Sequence, residues 1–146
     1  MKVFVDIKSH CIESHQSPED YGDWGATYYS RVTGVYSDKV LTRSHGVEEF
    51  DCDCKVGDVV YVVSVIYETG DSFGYSTGNI TITGVFNNIK DANTVKSYIE
   101  EQNKEEKYSY SKEVYLDSVG NYKFFSPWTG FFETLEYVNV DAFVVV

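Results

Sequence analysis

Basic residues are scarce in this chain: 12 Lys and Arg stand against 23 Asp and Glu, giving a formal net charge of −11 and a pI of about 4.5. A chain of that sign gains nothing from displacing counterions around a phosphate backbone, so direct nucleic-acid binding is not expected. The acidity keeps the protein soluble, and it also lets a surface mimic nucleic acid toward a basic partner. No apolar run approaches the ~18 residues that cross a bilayer. The opening MKVFVDIKSH turns polar too early for a secretory signal. A cytoplasmic setting with no membrane partner is therefore expected. Cysteine is sparse and odd in number, at Cys11, Cys52 and Cys54, so reduced thiols are expected rather than a disulfide framework. Neither a P-loop nor a dinucleotide fingerprint occurs, and no cofactor is expected.

The chain is rich in aromatic residues. Thirteen Tyr and nine Phe stand against two Pro and one Met, and flat rings suit a pleated, half-buried surface, so composition points to strands. A length of 146 residues holds one core, hence a single domain over 1–146. Strand character marks 2–8, 27–36 and 79–86, with a short strand expected within 37–53. The stretch 13–25, carrying Pro18, Gly22 and Gly25, reads as a loop. Residues 59–67 are apolar on both faces, which predicts a central strand covered on both sides. One segment is helical: over 89–104 an apolar stripe of Ile89, Ala92, Val95, Tyr98 and Ile99 recurs every three to four residues. Asn87 or Asn88 serves as its N-cap. Further strands are expected at 113–116, 122–125 and 131–146, the last alternating through Val138, Val140, Ala142, Val144 and Val146. The expected fold is α+β and predominantly antiparallel. It is one sheet or open barrel of about six to eight strands with a single main helix packed on it.

Two stretches echo each other. Tyr21-Gly22-Asp23-Trp24-Gly25 followed by Thr33-Gly34-Val35-Tyr36 is matched by Gly70-Asp71-Ser72-Phe73-Gly74 followed by Thr83-Gly84-Val85-Phe86. The simplest account is a duplicated strand–loop–strand unit, at about 2–36 and 58–86, each copy using glycine in a tight turn. Two assignments compete for the loops. The rings plug the ends of the sheet, or Asp23, Trp24, Asp71, Ser72 and Phe73 line one rim as a binding surface. Trp128, in a third aromatic loop at 126–132, joins them in the second assignment.

Gly70 to Gly74 also satisfies the G-x-S-x-G pattern of a nucleophile elbow, which requires a strand before the Ser and a helix after it. Here 75–79 reads as loop leading to strand, and His10, His15 and His45 all precede Ser72. A serine hydrolase is accordingly the least favoured reading, and no catalytic residue is assigned. His10, Cys11 and His15 in one segment, with Cys52 and Cys54, offer five zinc ligands. Their spacing fits no zinc module, and small buried thiols are the stronger reading of the cysteines. The carboxylates Glu48, Glu49, Asp51 and Asp53 lack the glycine and spacing of a calcium loop and read as a solvated face.

The segments DIKSHCIESH, GDWGATYYSRVTGVYSD, VYVVSVIYETGDSFG and GFFETLEYVNVDAF resemble a family of small bacteriophage-encoded proteins. The resemblance covers most of the chain and ties no motif to a known chemistry. It implies an early or accessory phage protein in the host cytoplasm, of a kind that blocks a host defence or redirects a host enzyme by binding it. With the acidic, aromatic-rich surface and the missing catalytic centre, the expected function is non-enzymatic: inhibition of a host defence protein. The alternative is a sponge for a small nucleotide signal. There Trp24, Phe73 or Trp128 would stack on the base, and Arg31, Lys39, Arg43 or backbone amides would hold the phosphates. A small metal-dependent or serine hydrolase comes third. Exposed strand edges make a symmetric homodimer the default assembly.

Overall fold

The computed structural model describes residues 1–17, 23–42, 46–71, 74–104 and 132–146. Strands β1 (Lys2–Ser17) and β2 (Asp23–Tyr36) form one antiparallel hairpin, and β3 (Gly46–Asp51) pairs with the other side of β1. A 3-10 turn at Lys39–Leu41 lies between β2 and β3. Strands β4 (Val59–Asp71) and β5 (Gly74–Phe86) form the second hairpin, followed by helix α1 (Ile89–Lys104). Strand β6 (Phe132–Val144) pairs with β4. The order across the sheet is β3-β1-β2-β5-β4-β6. Every neighbouring pair is antiparallel except β2 and β5, which run parallel from Trp24–Gly74 to Thr27–Thr77. This is the α+β architecture expected: one mostly antiparallel sheet and one helix.

Cores lie on both faces of the sheet. Val3, Val5, Val32, Val35, Phe50, Val60, Val62, Ile82, Val85 and Val145 form the first, with Phe143 packed against it. Phe50 belongs to β3 and Phe143 to β6, the two edge strands. In a flat sheet they would stand about 24 Å apart, five strand spacings. The sheet curls back on itself at its ends: Val145, just beyond β6, bridges Val35 of β2, and Asn87, just beyond β5, donates to Asp53 O, just beyond β3. The far end is stitched by main-chain bonds from Val146 N to Val35 O at 3.1 Å and from Ser37 N to Val146 O at 2.8 Å. The second core lies outside this curl, where Ala92, Val95 and Ile99 of α1 cover Val63, Val65, Phe86 and Val138. Strand β4 is thus buried on both faces, as its unbroken apolar run predicts, with Val60 and Val62 inward and Val63 and Val65 toward the helix.

Helix α1 begins where the sequence places it. Asn88 is the cap, its Oδ1 accepting from Asp91 N at 2.9 Å. Of the predicted stripe, Ala92, Val95 and Ile99 are buried, while Ile89 and Tyr98 at its margins remain exposed. The predicted loop over 13–25 is a correction: β1 continues to Ser17 and β2 starts at Asp23, with Ser14 opposite Ala26 and His15 opposite Gly25. A ladder is held by main-chain groups, so polar side chains at the end of a hairpin do not stop it. The strand hidden within 37–53 is β3. The strands expected at 113–116 and 122–125 lie outside the described residues.

One glycine decides how closely the two hairpins approach. Gly78 has φ +74°, and a Cβ there would stand 1.9 Å from the carbonyl oxygen of Tyr28. Only a residue without a side chain fits against β2 at the point where the parallel ladder ends. Gly78→Ala is expected to lower unfolding stability by about 3 kcal/mol or more, combining backbone strain with a steric clash. Urea denaturation followed by circular dichroism measures it.

Candidate binding site

The short parallel ladder fixes where the strand ends lie. Trp24 pairs with Gly74, Gly74 with Asp71, Asp23 with Ser17 and Gly70 with Phe132. The ends of β1, β2, β5 and β4 and the start of β6 therefore meet at one rim. The backbones of Asp23 and Trp24 sit there on β2, and that of Asp71 two strands away on β4. Ser72, Phe73 and Trp128 lie outside the described residues.

Hydrogen bonds between polar side chains and backbone floor this rim. Asn79 Nδ2 donates to Tyr67 O at 3.1 Å and to Ser76 O at 3.0 Å, bridging β4 to a β5 segment that has slipped in register. Thr77 Oγ1 donates to Thr27 Oγ1 at 3.2 Å, across the parallel pair. Such cross-links hold the strand ends in one arrangement, as a surface built from loops on a rigid base requires. The elbow motif takes a different form from the one its chemistry needs. Strand β4 precedes Ser72 and strand β5, not a helix, follows it, so the helix amide end that organises a nucleophile elbow is missing.

The five zinc candidates do not assemble. Cys52 lies beside the amino terminus, its N–H donating to Met1 O at 2.9 Å. His10 and Cys11 lie on β1, about 30 Å further along the strand. They are successive strand residues, so their side chains point to opposite faces. His10 packs edge-on against Tyr29 with centroids 5.5 Å apart, and Cys11 Sγ donates to Glu13 O at 3.4 Å. The side chain of His15 lies outside the described residues. Among the described residues, no group of three or more His, Cys, Asp or Glu could hold a metal ion.

A different cluster escaped the sequence reading. Lys8 faces Arg31 across β1 and β2, His10 faces Tyr29, and the pleat puts all four side chains on one side. The Arg31 guanidinium stands 5.2 Å from the centre of the Tyr29 ring. The signal was present as K-x-H on one strand and Y-x-R on the next. Assigning His10 to a metal set with Cys11 and His15 obscured it.

Cys52 is chemically quiet. Burial is the main cause that pushes its thiol up to about 12, helped by a hydrogen bond with Cys54 and by the negative charges of Cys54 and Asp53. Alkylation of the native protein at about pH 8 is expected to modify the exposed Cys11 and spare the buried Cys52 until denaturant is added, read by peptide mass spectrometry. The folded pKa lies above the ordinary 9.0, so the folded state holds this proton more tightly than the unfolded chain. The corresponding stability is complete below pH 9 and is lost as pH rises toward about 12. Cys52→Val should remove that part of the alkaline decline, measured by urea melts at stepped pH. Comparison of the chain with protein-family models, with curated proteins and with solved structures returns no match.

Proposed function

We propose that this protein is a non-enzymatic binding module, a phage accessory factor that inhibits a host protein through the rim where its two hairpins end. The observation that carries the reading is the parallel β2–β5 ladder. It sets Trp24 against Gly74 and so brings both echoed loops to one side of the molecule. The hydrogen bonds of Asn79 and Thr77 beneath the rim support it, because a preorganised surface loses less entropy on binding. The excess of acid, −11 overall, suits a basic partner and speeds its encounter.

Native mass spectrometry of the tagged protein, recovered from its host, tests the reading. The expected result is a retained protein of discrete mass. That protein should be lost from the double variant Trp24→Ala, Asp71→Lys, with affinity weakened about 30-fold or more for a central aromatic anchor and a reversed charge. A retained molecule of small mass that is lost from the same rim variant, with no retained protein, would replace this reading with the nucleotide sponge. Activity abolished by Ser72→Ala would replace it with a hydrolase.

A further inference from the structure

The two halves of the sheet correspond from Lys2 to His10 of β1 and from Val59 to Tyr67 of β4, beyond which the hairpin registers part. Exchanging β1 with β4, β2 with β5 and β3 with β6 reverses the strand order β3-β1-β2-β5-β4-β6 onto itself. The parallel ladder pairs four residues of β2 with those fifty positions on, Trp24 with Gly74 through Thr27 with Thr77. That is the same offset that aligns Thr33-Gly34-Val35-Tyr36 with Thr83-Gly84-Val85-Phe86. The hairpin registers match as well. Phe4–Tyr36 corresponds to Tyr61–Phe86 and Val5–Val35 to Val62–Val85, and each hairpin bulges at the next step, between Asp6 and Ile7 and between Val63 and Ser64.

Hydrogen bonds repeat with the fold. Thr33 Oγ1 donates to Asp6 O at 3.2 Å, and Thr83 Oγ1 donates to Val63 O at 3.1 Å. Cys52 N donates to Met1 O, and Val145 N to Asp58 O, both at 2.9 Å. Ser37 Oγ donates to Val146 O, and Asn87 Nδ2 to Asp53 O, both at 3.0 Å. The shared core falls into equivalent pairs: Val3 with Val60, Val5 with Val62, Val32 with Ile82, Val35 with Val85, Phe50 with Phe143 and Cys52 with Val145.

The halves differ on their outer faces. In the second, Val63, Val65 and Tyr67 pack under α1. The same positions in the first are Asp6, Lys8 and His10, and the place of α1 is taken by the 3-10 turn Lys39–Leu41. Where β5 has Asn79 and Thr81, β2 has Tyr29 and Arg31. An exposed face needs polar residues, but solubility gives no reason for these. Lys8 and Arg31 are direct cross-strand partners, and like charges in that position repel. The chain holds 23 carboxylates, yet among the described residues none is ion-paired with Lys8 or Arg31. Two facing cations are relieved when an anion sits between them.

We infer that the chain is two fused copies of one three-stranded unit, and that the first copy's outer face has become a binding surface for the phosphate of a small molecule. Lys8 and Arg31 flank the phosphate and His10 adds a donor. The Tyr29 ring, 48% exposed, offers stacking area to an attached base. This surface stands about 20 Å along β2 from Asp23, so it is separate from the rim.

The test titrates the full chain with inorganic pyrophosphate and, separately, with ADP at low salt, following backbone amide shifts by NMR. Saturable shifts centred on Lys8, His10, Tyr29 and Arg31 are expected. Lys8→Gln or Arg31→Gln should each weaken binding about tenfold, the loss of one charge-assisted hydrogen bond, while Lys90→Gln, exposed on α1, leaves it unchanged. Tyr29→Ala separates the sources, because it weakens ADP alone if the ligand is a nucleotide and neither probe if a free polyphosphate suffices. Circular dichroism melts confirm that the variants remain folded. No saturable shift with either probe, or affinities unmoved by both Gln variants, would overturn the binding surface. The duplication has its own check, the paired exchange Val32→Ile with Ile82→Val. Equivalent positions predict single-variant shifts of opposite sign that cancel in the pair, and a pair that melts well below the parent overturns the equivalence.

Discussion

Everything in this fold depends on a core that neither hairpin can build alone. Val3, Val5, Val32 and Val35 on one side and Val60, Val62, Ile82 and Val85 on the other are each half of a cluster. A two-stranded hairpin alone is marginal in water. Burial is reached only when the sheet curls, which brings the end of β6 against β2. The four-pair ladder between β2 and β5 and the contact of Val146 with Val35 follow from that requirement, because they are where the curled halves meet. Folding is therefore cooperative across the whole chain. Pairing residues fifty apart in sequence, before the core can reward it, makes the parallel ladder a late and slow event.

The helix serves a second and more local need. Strand β4 is apolar on both sides, and curling buries only one. Ala92, Val95 and Ile99 cover the other, so α1 answers a surface that the shared core leaves exposed. The first half has no such demand, since Lys8 and His10 stand where β4 has Val65 and Tyr67. The difference between a helix of 16 residues and a turn of three is thus written in the pattern of the strand beneath it.

Much of this was legible in the residues. The period of Ala92, Val95 and Ile99 gave the helix and Asn88 its cap. The doubled apolar run at 59–67 gave the central strand and both its faces. The glycine-flanked echoes at 21–25 and 70–74 pointed to repetition. What escaped has physical causes. Residues 14–16 are polar, and a ladder held by main-chain groups leaves no trace in their side-chain pattern. The repetition was hidden at β3 because Cys52 and Val145, or Glu49 and Ala142, are equivalent in place but unlike in type. The basic cluster needed the register of β1 against β2, which no single strand carries.

The short length of β3 has a bearing on how the molecule behaves in a crowded solution. It pairs with β1 from Lys2 to Ile7 and stops, so among the described residues β1 continues from Lys8 toward Ser17 with no named strand on that side. Such an open margin invites the strands of other molecules and can seed aggregation. Along it stand Lys8 and Glu13, with a backbone irregularity between Cys11 and Glu13. Charges and a local break in the pleat disfavour edge-to-edge growth, so this stretch of β1 is guarded against self-association.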